Sequence, residues 1–167
     1  GCVGYTAANA CQCNDLCVEY NNCCDDYEEL CGSGGTGGGE LIDADNLFFS
    51  EYAEGSSNNK YLEIYNAEDY DVDLSHYAIS TCANGCNDGT SWDYPSNVQF
   101  ASGTILTSKD VYVICNPSAD NYILGECDQE FTYLSNGDDV MGLTQNSTGG
   151  ILDIIGEIGD DPGSGWD

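Results

Sequence analysis

The amino-terminal cysteine cluster constrains this chain more than any other feature. Seven of its eleven cysteines lie within the first 31 residues: Cys2, Cys11, Cys13, Cys17, Cys23, Cys24 and Cys31. Domains shorter than about 40 residues usually need disulfides or a metal, because they bury too little apolar surface to offset their chain entropy. Zinc sites use paired Cys-x-x-Cys or Cys/His sets, whereas this cluster has C-x-C and C-C pairs and the single histidine, His76, is distant. The pattern favours a disulfide framework over a zinc site and predicts a secreted protein in an oxidising compartment.

The charge balance narrows the classes of partner. The 167-residue chain has 30 acidic residues against two lysines, Lys60 and Lys109, and its formal net charge is -28. A chain without arginine makes no bidentate phosphate contacts, and this net charge repels polyanions, so we expect no nucleic-acid partner. No run approaches the roughly 20 apolar residues of a membrane span, so we expect no membrane insertion. The acidity favours a solubility adaptation over a specific acidic binding surface.

A glycine-rich segment divides the chain. Residues 32–39 read GSGGTGGG and have no side chain that would anchor them, which is typical of a flexible tether. We therefore predict a cysteine module at 1–31, a linker at 32–40 and a second unit at 41–167. At about 125 residues, the second unit is long enough for a core of its own.

The second unit has the two-residue periodicity of β-strands. Leu62 and Ile64 share a face opposite Glu63, and residues 111–115 (VYVIC) have the apolar, β-branched composition of a central strand. Further candidate strands are 47–49, 77–79, 98–100, 131–134, 140–143 and 151–155. Turn dipeptides such as Asn84-Gly85 and Asn136-Gly137 separate them. The pattern predicts an all-β fold, an antiparallel β-sandwich.

Both halves resemble known families. Residues 11–31, CQCNDLCVEYNNCCDDYEELC, have the C-x-C-x3-C-x5-CC-x6-C spacing of the somatomedin B domain, which the region 2–31 resembles. Residues 47–75, LFFSEYAEGSSNNKYLEIYNAEDYDVDLS, resemble a lamin tail domain of the type found in secreted microbial proteins, as do NGDD at 136–139 and IGDDPGSGW at 158–166. The resemblances imply an immunoglobulin-like β-sandwich preceded by a small disulfide-knotted module.

The somatomedin B resemblance also implies a disulfide connectivity. It pairs Cys2 with Cys31, Cys11 with Cys24 and Cys17 with Cys23. Cys13 is then unpaired or externally paired, because its family partner would lie upstream of Gly1. In the second unit, Cys82 and Cys86 bracket a turn, and Cys115 and Cys127 close a loop after the central strand, so we predict two local disulfides there.

The somatomedin B resemblance further implies a partner-binding turn in the first module. The matching positions are Asn14, Asp15, Leu16, Glu19 and Tyr20, of which Leu16, Glu19 and Tyr20 are the candidate binding residues. Asn14 and Glu19 depart from the acidic and aromatic residues usual in the family, so binding of the vertebrate kind is not expected. The alternative is that Leu16 and Tyr20 pack on the disulfides.

Alternating aspartates suggest one metal site. Asp69, Asp71 and Asp73 share a face if their segment is extended, and a calcium ion would relieve their mutual repulsion. The segment lacks the glycine and distal glutamate of an EF-hand loop, so diffuse counter-ion binding is the alternative. We expect no required cofactor, with calcium as the one candidate.

The remaining motifs point away from catalysis. His76 lies in a predicted turn, and the sequence has no nucleophile elbow, P-loop or H-E-x-x-H motif. Adjacent aspartates such as Asp138 and Asp139 are typical of solvated turns. Asn146 begins an N-S-T sequon, a candidate glycosylation site whose alternative is an ordinary polar turn. We therefore expect a non-enzymatic protein.

These observations predict an extracellular structural or adhesion protein. The family patterns place a partner for Cys13 before Gly1 and a closing strand after Asp167, so both ends are expected to be incomplete. Contact between two different ends is heterologous and need not close, which favours a surface layer or fibre of copies joined head to tail. The alternative is a non-catalytic targeting segment of a larger secreted hydrolase or nuclease, because lamin tail domains accompany such enzymes.

Overall fold

The computed structural model describes Ala44, residues 46–134 and residues 136–166. These residues belong to one compact unit, Ala44–Asp167. Several predictions lie outside the described residues: the disulfides Cys2–Cys31, Cys11–Cys24 and Cys17–Cys23, the unpaired Cys13, the binding residues Leu16, Glu19 and Tyr20, and the linker at 32–40.

The described residues form short strands joined by turns, with very little helix. The strands are β1 (Leu47–Glu54), β2 (Lys60–Asn66), β3 (Val72–Asp73), β4 (Tyr77–Cys82), β5 (Tyr94–Gln99), β6 (Ile105–Leu106), β7 (Val111–Cys115), β8 (Gln129–Glu130), β9 (Val140–Gln145) and β10 (Ile151–Ile155). A 3-10 turn, Leu74–His76, precedes β4, and a short helix, α1 (Asn121–Leu124), follows β7.

Two four-stranded sheets make up the unit. Their strand orders are β1-β2-β7-β8 and β10-β9-β4-β5, and β3 pairs with β6 in a separate two-stranded ladder. Neighbouring strands run antiparallel except for β7 and β8, which are parallel. The predicted all-β, immunoglobulin-like sandwich is confirmed, with one parallel pair where the sequence predicted antiparallel strands throughout.

Strand alternation builds the core between the sheets. Leu62 and Ile64 on β2 are fully buried, and Ile79 and Leu143 meet them from the second sheet in the same cluster. Glu63 lies between the two β2 residues on the outer face, as the two-residue period predicts. The apolar stripe of each strand therefore fixes which face of each sheet is buried.

Side chains join the edges of the two sheets. At one side of the sandwich, the Asp153 carboxylate of β10 accepts a hydrogen bond from the Phe49 backbone N–H of β1, at 2.8 Å. At the other side, the Gln129 amide of β8 donates to the Gln99 carbonyl of β5, at 3.1 Å. Each bond satisfies a backbone group that an edge strand would otherwise leave without a ladder partner.

One predicted strand is wrong. Residues 131–134 form a turn, and the strand of this region is β8, which ends before them at Glu130. The Asn116 side-chain amide donates to the Thr132 carbonyl at 3.0 Å, and this contact holds the chain away from a ladder. The segment is apolar because Phe131 and Leu134 pack against the core, where both are partly buried.

Candidate functional site

Two disulfides lie at the ends of central strands. Cys82, the last residue of β4, is bonded to Cys86, with 4.5 Å between the Cα atoms. Cys115, the last residue of β7, is bonded to Cys127, with 5.8 Å between the Cα atoms. These are the two local pairs that the spacing predicts, and they fix the loops that follow both strands.

Carboxylates organise the loop of residues 83–93. The two oxygens of Asp93 accept hydrogen bonds from the backbone N–H groups of Ala83 and Asn87, both at 3.0 Å. Asp88 Oδ1 accepts from the N–H groups of Thr90 and Ser91 at 2.8 and 2.7 Å. Because these bonds favour the charged form, led by Asn87 for Asp93 and by Thr90 for Asp88, they lower the pKa of both carboxyls.

The two acidic motifs of the lamin tail resemblance contact one another. The Trp166 indole N–H donates to the Asp139 carbonyl at 2.9 Å, and the Trp166 backbone N–H donates to the Gly137 carbonyl at 3.1 Å. A Cβ on Gly156 would lie 2.5 Å from the Trp166 ring, so the indole packs directly on that backbone. Gly159 N–H also donates to the Gly85 carbonyl at 2.8 Å. The segment 156–166 therefore braces the loop of residues 83–93.

A cleft lies at the end of β4, beside the first residues of β5 and β9. Its volume is about 580 Å³, and we call it the end cleft. Its lining residues are Thr81, Cys82, Ala83, Tyr94, Asn97, Thr132, Tyr133, Leu134, Asn136, Asp139 and Met141. On one side, Thr81 of β4 is in register with Met141 of β9 and with Tyr94 of β5. On the other, the turn at 131–134 supplies the facing wall.

Exposed aromatic rings line the end cleft. The exposed fraction is 54% for Tyr94 and 80% for Tyr133, although large aromatic side chains usually bury most of their surface. Tyr133 is supported by Phe131 in an edge-to-face contact with 6.1 Å between ring centroids. In the same lining, the Asn97 amide donates to Thr81 Oγ1 at 2.8 Å. No sequence pattern indicated this grouping, because it depends on strand register.

A second concavity lies on the outer face of the first sheet. Its volume is about 440 Å³, and we call it the acidic groove. Its lining residues are Glu51, Tyr61, Glu63, Asp110, Val111, Val113, Tyr122, Ile123, Glu126 and Asp128. Tyr61 donates its hydroxyl proton to Glu51 at 2.9 Å, and this hydrogen bond raises the pKa of Tyr61. Five of the lining residues are acidic: Glu51, Glu63, Asp110, Glu126 and Asp128.

The predicted calcium triad does not form. Only Val72 and Asp73 of the segment are strand, and the chain bends at 68–70, so the three carboxylates do not share a face. Asp69 pairs with Lys109 at 2.9 Å, Asp71 accepts from the Ser108 N–H at 3.0 Å, and Asp73 accepts from the Ser75 N–H at 2.9 Å. Within the part of the chain that the structure describes, no group of three or more His, Cys, Asp or Glu side chains has the arrangement of a metal site.

Asn146 and His76 lie together at the start of β4. His76 is the last residue of the 3-10 turn, and its carbonyl accepts a hydrogen bond from the Asn146 N–H at 2.9 Å. The Asn146 side-chain amide donates to the carbonyls of Ser75 and Tyr77, both at 3.0 Å. Asn146 is therefore exposed to solvent. Its side-chain nitrogen, to which a glycan would be attached, already donates hydrogen bonds to two backbone carbonyls.

Comparison with known proteins finds two families. The Lamin Tail Domain family matches residues 42–159, and the Somatomedin B domain matches residues 2–34. The chain is also 42% identical over 40 residues to the uridylate-specific endoribonuclease of Mus musculus, a match that covers 24% of this chain and 10% of the relative. The match therefore spans only about a tenth of that relative. Among the described helices, none has the length and apolar character needed to cross a membrane.

Proposed function

The chain belongs to the Lamin Tail Domain family and has a somatomedin B domain before that domain, and from this pairing we propose a secreted, non-enzymatic structural or adhesion protein that associates with copies of itself. Somatomedin B domains with disulfides are typical of extracellular proteins. The carboxylates of the loop at 83–93 support a structural function, because Asp88 and Asp93 are engaged as hydrogen-bond acceptors for backbone N–H groups.

An exposed apolar row on an edge strand is the observation that carries this proposal. β10 is the last strand of its sheet, and its isoleucines Ile151 and Ile154 are exposed. The neighbouring edge strand of the other sheet, β1, exposes Phe48. Because Asp153 joins β10 to β1, the exposed side chains rather than the edge backbone offer the surface for contact with another chain. A second copy of this protein is the occupant that the proposal assigns to this surface.

The net charge sets the conditions for such association. At -28 per copy, long-range repulsion opposes contact between protomers. Salt shortens the range of that repulsion, to about 10 Å at 0.1 M ionic strength. Association should therefore strengthen as ionic strength rises, with calcium acting as a screening counter-ion rather than as a bound cofactor.

Sedimentation velocity of the full chain across a NaCl series tests the proposal. We expect larger species to accumulate with salt, and the double substitution Ile151→Ser and Ile154→Ser to remove them. Ile105→Ser is the matched control, because Ile105 is exposed at least as much as Ile151 and Ile154 but lies on β6, outside the row. A strictly monomeric particle at high protein and salt concentration would contradict self-association.

The match to a nuclease favours a second candidate. A relative described as a uridylate-specific endoribonuclease shares a 40-residue stretch with this chain. In this alternative, the chain is a non-catalytic targeting segment of a larger secreted hydrolase or nuclease. The intact mass of the native secreted polypeptide and the sequence of its transcript distinguish the two candidates, because only the second requires a catalytic domain in the same polypeptide.

A further inference from the structure

The end cleft combines two exposed tyrosine rings with hydrogen-bonding groups and no basic side chain. From this combination we propose that it binds a neutral oligosaccharide. The inference goes beyond the proposed function and does not depend on it, because the cleft lies at the end of the sandwich and not on the β10 edge. Its volume of about 580 Å³ lies within the range of about 300–1,000 Å³ typical of ligand pockets.

The tyrosines supply flat apolar surfaces on two walls. Tyr94 projects from β5, and Tyr133 from the facing turn at 131–134. A sugar ring has C–H groups on its faces, which pack against an aromatic ring, and hydroxyl groups around its edge. Leaving both tyrosines exposed has an energetic cost that burial beneath a ligand would offset. Apolar floor residues, Met141 and Leu134, extend the same contact surface inward.

The polar groups of the cleft match the hydroxyl edge of a sugar. An amide both donates and accepts hydrogen bonds, as a hydroxyl does, and Asn97 and Asn136 each place one in the lining. Asn97 donates one side-chain N–H to Thr81 Oγ1, which leaves its Oδ1 as an acceptor for a ligand. Asp139 uses Oδ1 for the Asn84 N–H at 3.1 Å, so its Oδ2 is a second acceptor.

Charge selects a neutral ligand over an anionic one. Among the described residues that line the end cleft, none is Lys, Arg or His, and Asp139 is negative. The net charge of -28 adds a long-range repulsion toward sulfated or uronic-acid glycans. A proline-rich peptide is the other occupant known to use aromatic-lined grooves. The amides and the carboxylate that line the cleft together with the rings favour the hydroxyl-rich ligand.

Calorimetric titration of the full chain with cellohexaose, chitohexaose and mannohexaose tests the inference. We expect saturable binding of at least one of them, and an affinity at least about tenfold lower when Tyr94→Ala and Tyr133→Ala are combined. Tyr122→Ala is the matched control, because Tyr122 is 69% exposed but lines the acidic groove. The affinity of this variant for the sugar should equal that of the wild type. If the double variant has a lowered melting temperature, the sugar affinity of the Tyr133→Ala single variant is measured instead.

A second readout locates the bound sugar. In NMR spectra, the side-chain amide resonances of Asn97 and Asn136 should shift with ligand, while those of Asn121 on α1 should not. Three results would overturn the inference: no binding by any of the three sugars at millimolar concentration, unchanged affinity in the tyrosine variants, or tyrosine-dependent binding of a heparin hexasaccharide or a proline-rich peptide in preference to the neutral sugars.

Discussion

Individual polar side chains replace missing backbone partners throughout this fold. Asn66 is fully buried at the end of β2, and its amide donates to the carbonyls of Leu106 and Thr107 at 3.1 and 3.2 Å. It thereby connects the first sheet to β6. Asn146 does the same between the β9–β10 turn and the start of β4. In both places one asparagine amide donates to two backbone carbonyls of another segment.

Replacing Asn146 should therefore destabilise the fold. Asn146→Ala removes two side-chain hydrogen bonds, and we expect the free energy of unfolding in urea to fall by about 1–3 kcal/mol. Asn121→Ala, an exposed change on α1, should stay within about 0.5 kcal/mol. Equal effects of the two substitutions would show that the Asn146 bonds contribute nothing. A glycan on Asn146 would displace one of the same two bonds.

Asp93 should make the stability depend on acid pH. Its pKa is lowered in the folded state, chiefly by the Asn87 backbone N–H. Its contribution is therefore complete above the unfolded pKa of about 3.9 and is lost as pH falls through that value and then through the lower folded pKa. We expect Asp93→Ala to lower the melting temperature at pH 7 and to reduce its further decrease between pH 7 and pH 3.

The control for Asp93 is Glu157→Ala, which removes an exposed carboxylate outside the loop at 83–93. The wild-type decrease in melting temperature with acid should persist in that variant. An Asp93→Ala protein whose melting temperature falls with acid as steeply as the wild type would contradict the assignment.

At the scale of elements, a glycine in β9 admits a tryptophan. A Cβ on Gly142 would lie 2.5 Å from Cη2 of Trp92, so the indole rests directly on the strand backbone. The side chain packs against the cluster formed by Cys82, Cys86 and Val140. Trp92 therefore connects the loop at 83–93 to the second sheet by packing on β9.

The substitution Gly142→Ala tests the contact between Trp92 and β9. The added methyl group collides with Trp92, and we expect it to lower the free energy of unfolding by about 1–3 kcal/mol. In a Trp92→Ala background the collision is absent, so the same change should cost little, and a double-mutant cycle measures the difference. If the effects of the two substitutions are additive, the contact between the Trp92 indole and Gly142 is contradicted.

The sequence predicted those strands that can be recognised from the pattern of a few consecutive residues. The alternation of Leu62, Glu63 and Ile64 identifies β2 and its buried face without any knowledge of its neighbours. The turn at 131–134 was mistaken for a strand because its conformation depends on the Asn116 side chain, 16 positions earlier. The end cleft was missed for the same reason, since only the β4–β9 and β4–β5 registers align Met141, Thr81 and Tyr94.

At the scale of the whole molecule, charge should dominate the response to ions. The net charge of -28 destabilises the compact state by self-repulsion, so the melting temperature should rise with NaCl. Because Asp69, Asp71 and Asp73 bind different partners, CaCl2 at equal ionic strength should produce the same increase. A saturable additional stabilisation by calcium would indicate a specific site instead.

The bond between Phe49 and Asp153 joins residues 104 positions apart. Strands β4 and β9 are likewise paired across most of the unit. Contacts of such long sequence separation slow folding, because the loop between them must close before they form. During synthesis, the first strands emerge well before their partners, and the sandwich completes only after β10 has followed. The order of synthesis thus leaves the early apolar strands open to premature association until their partners have been made.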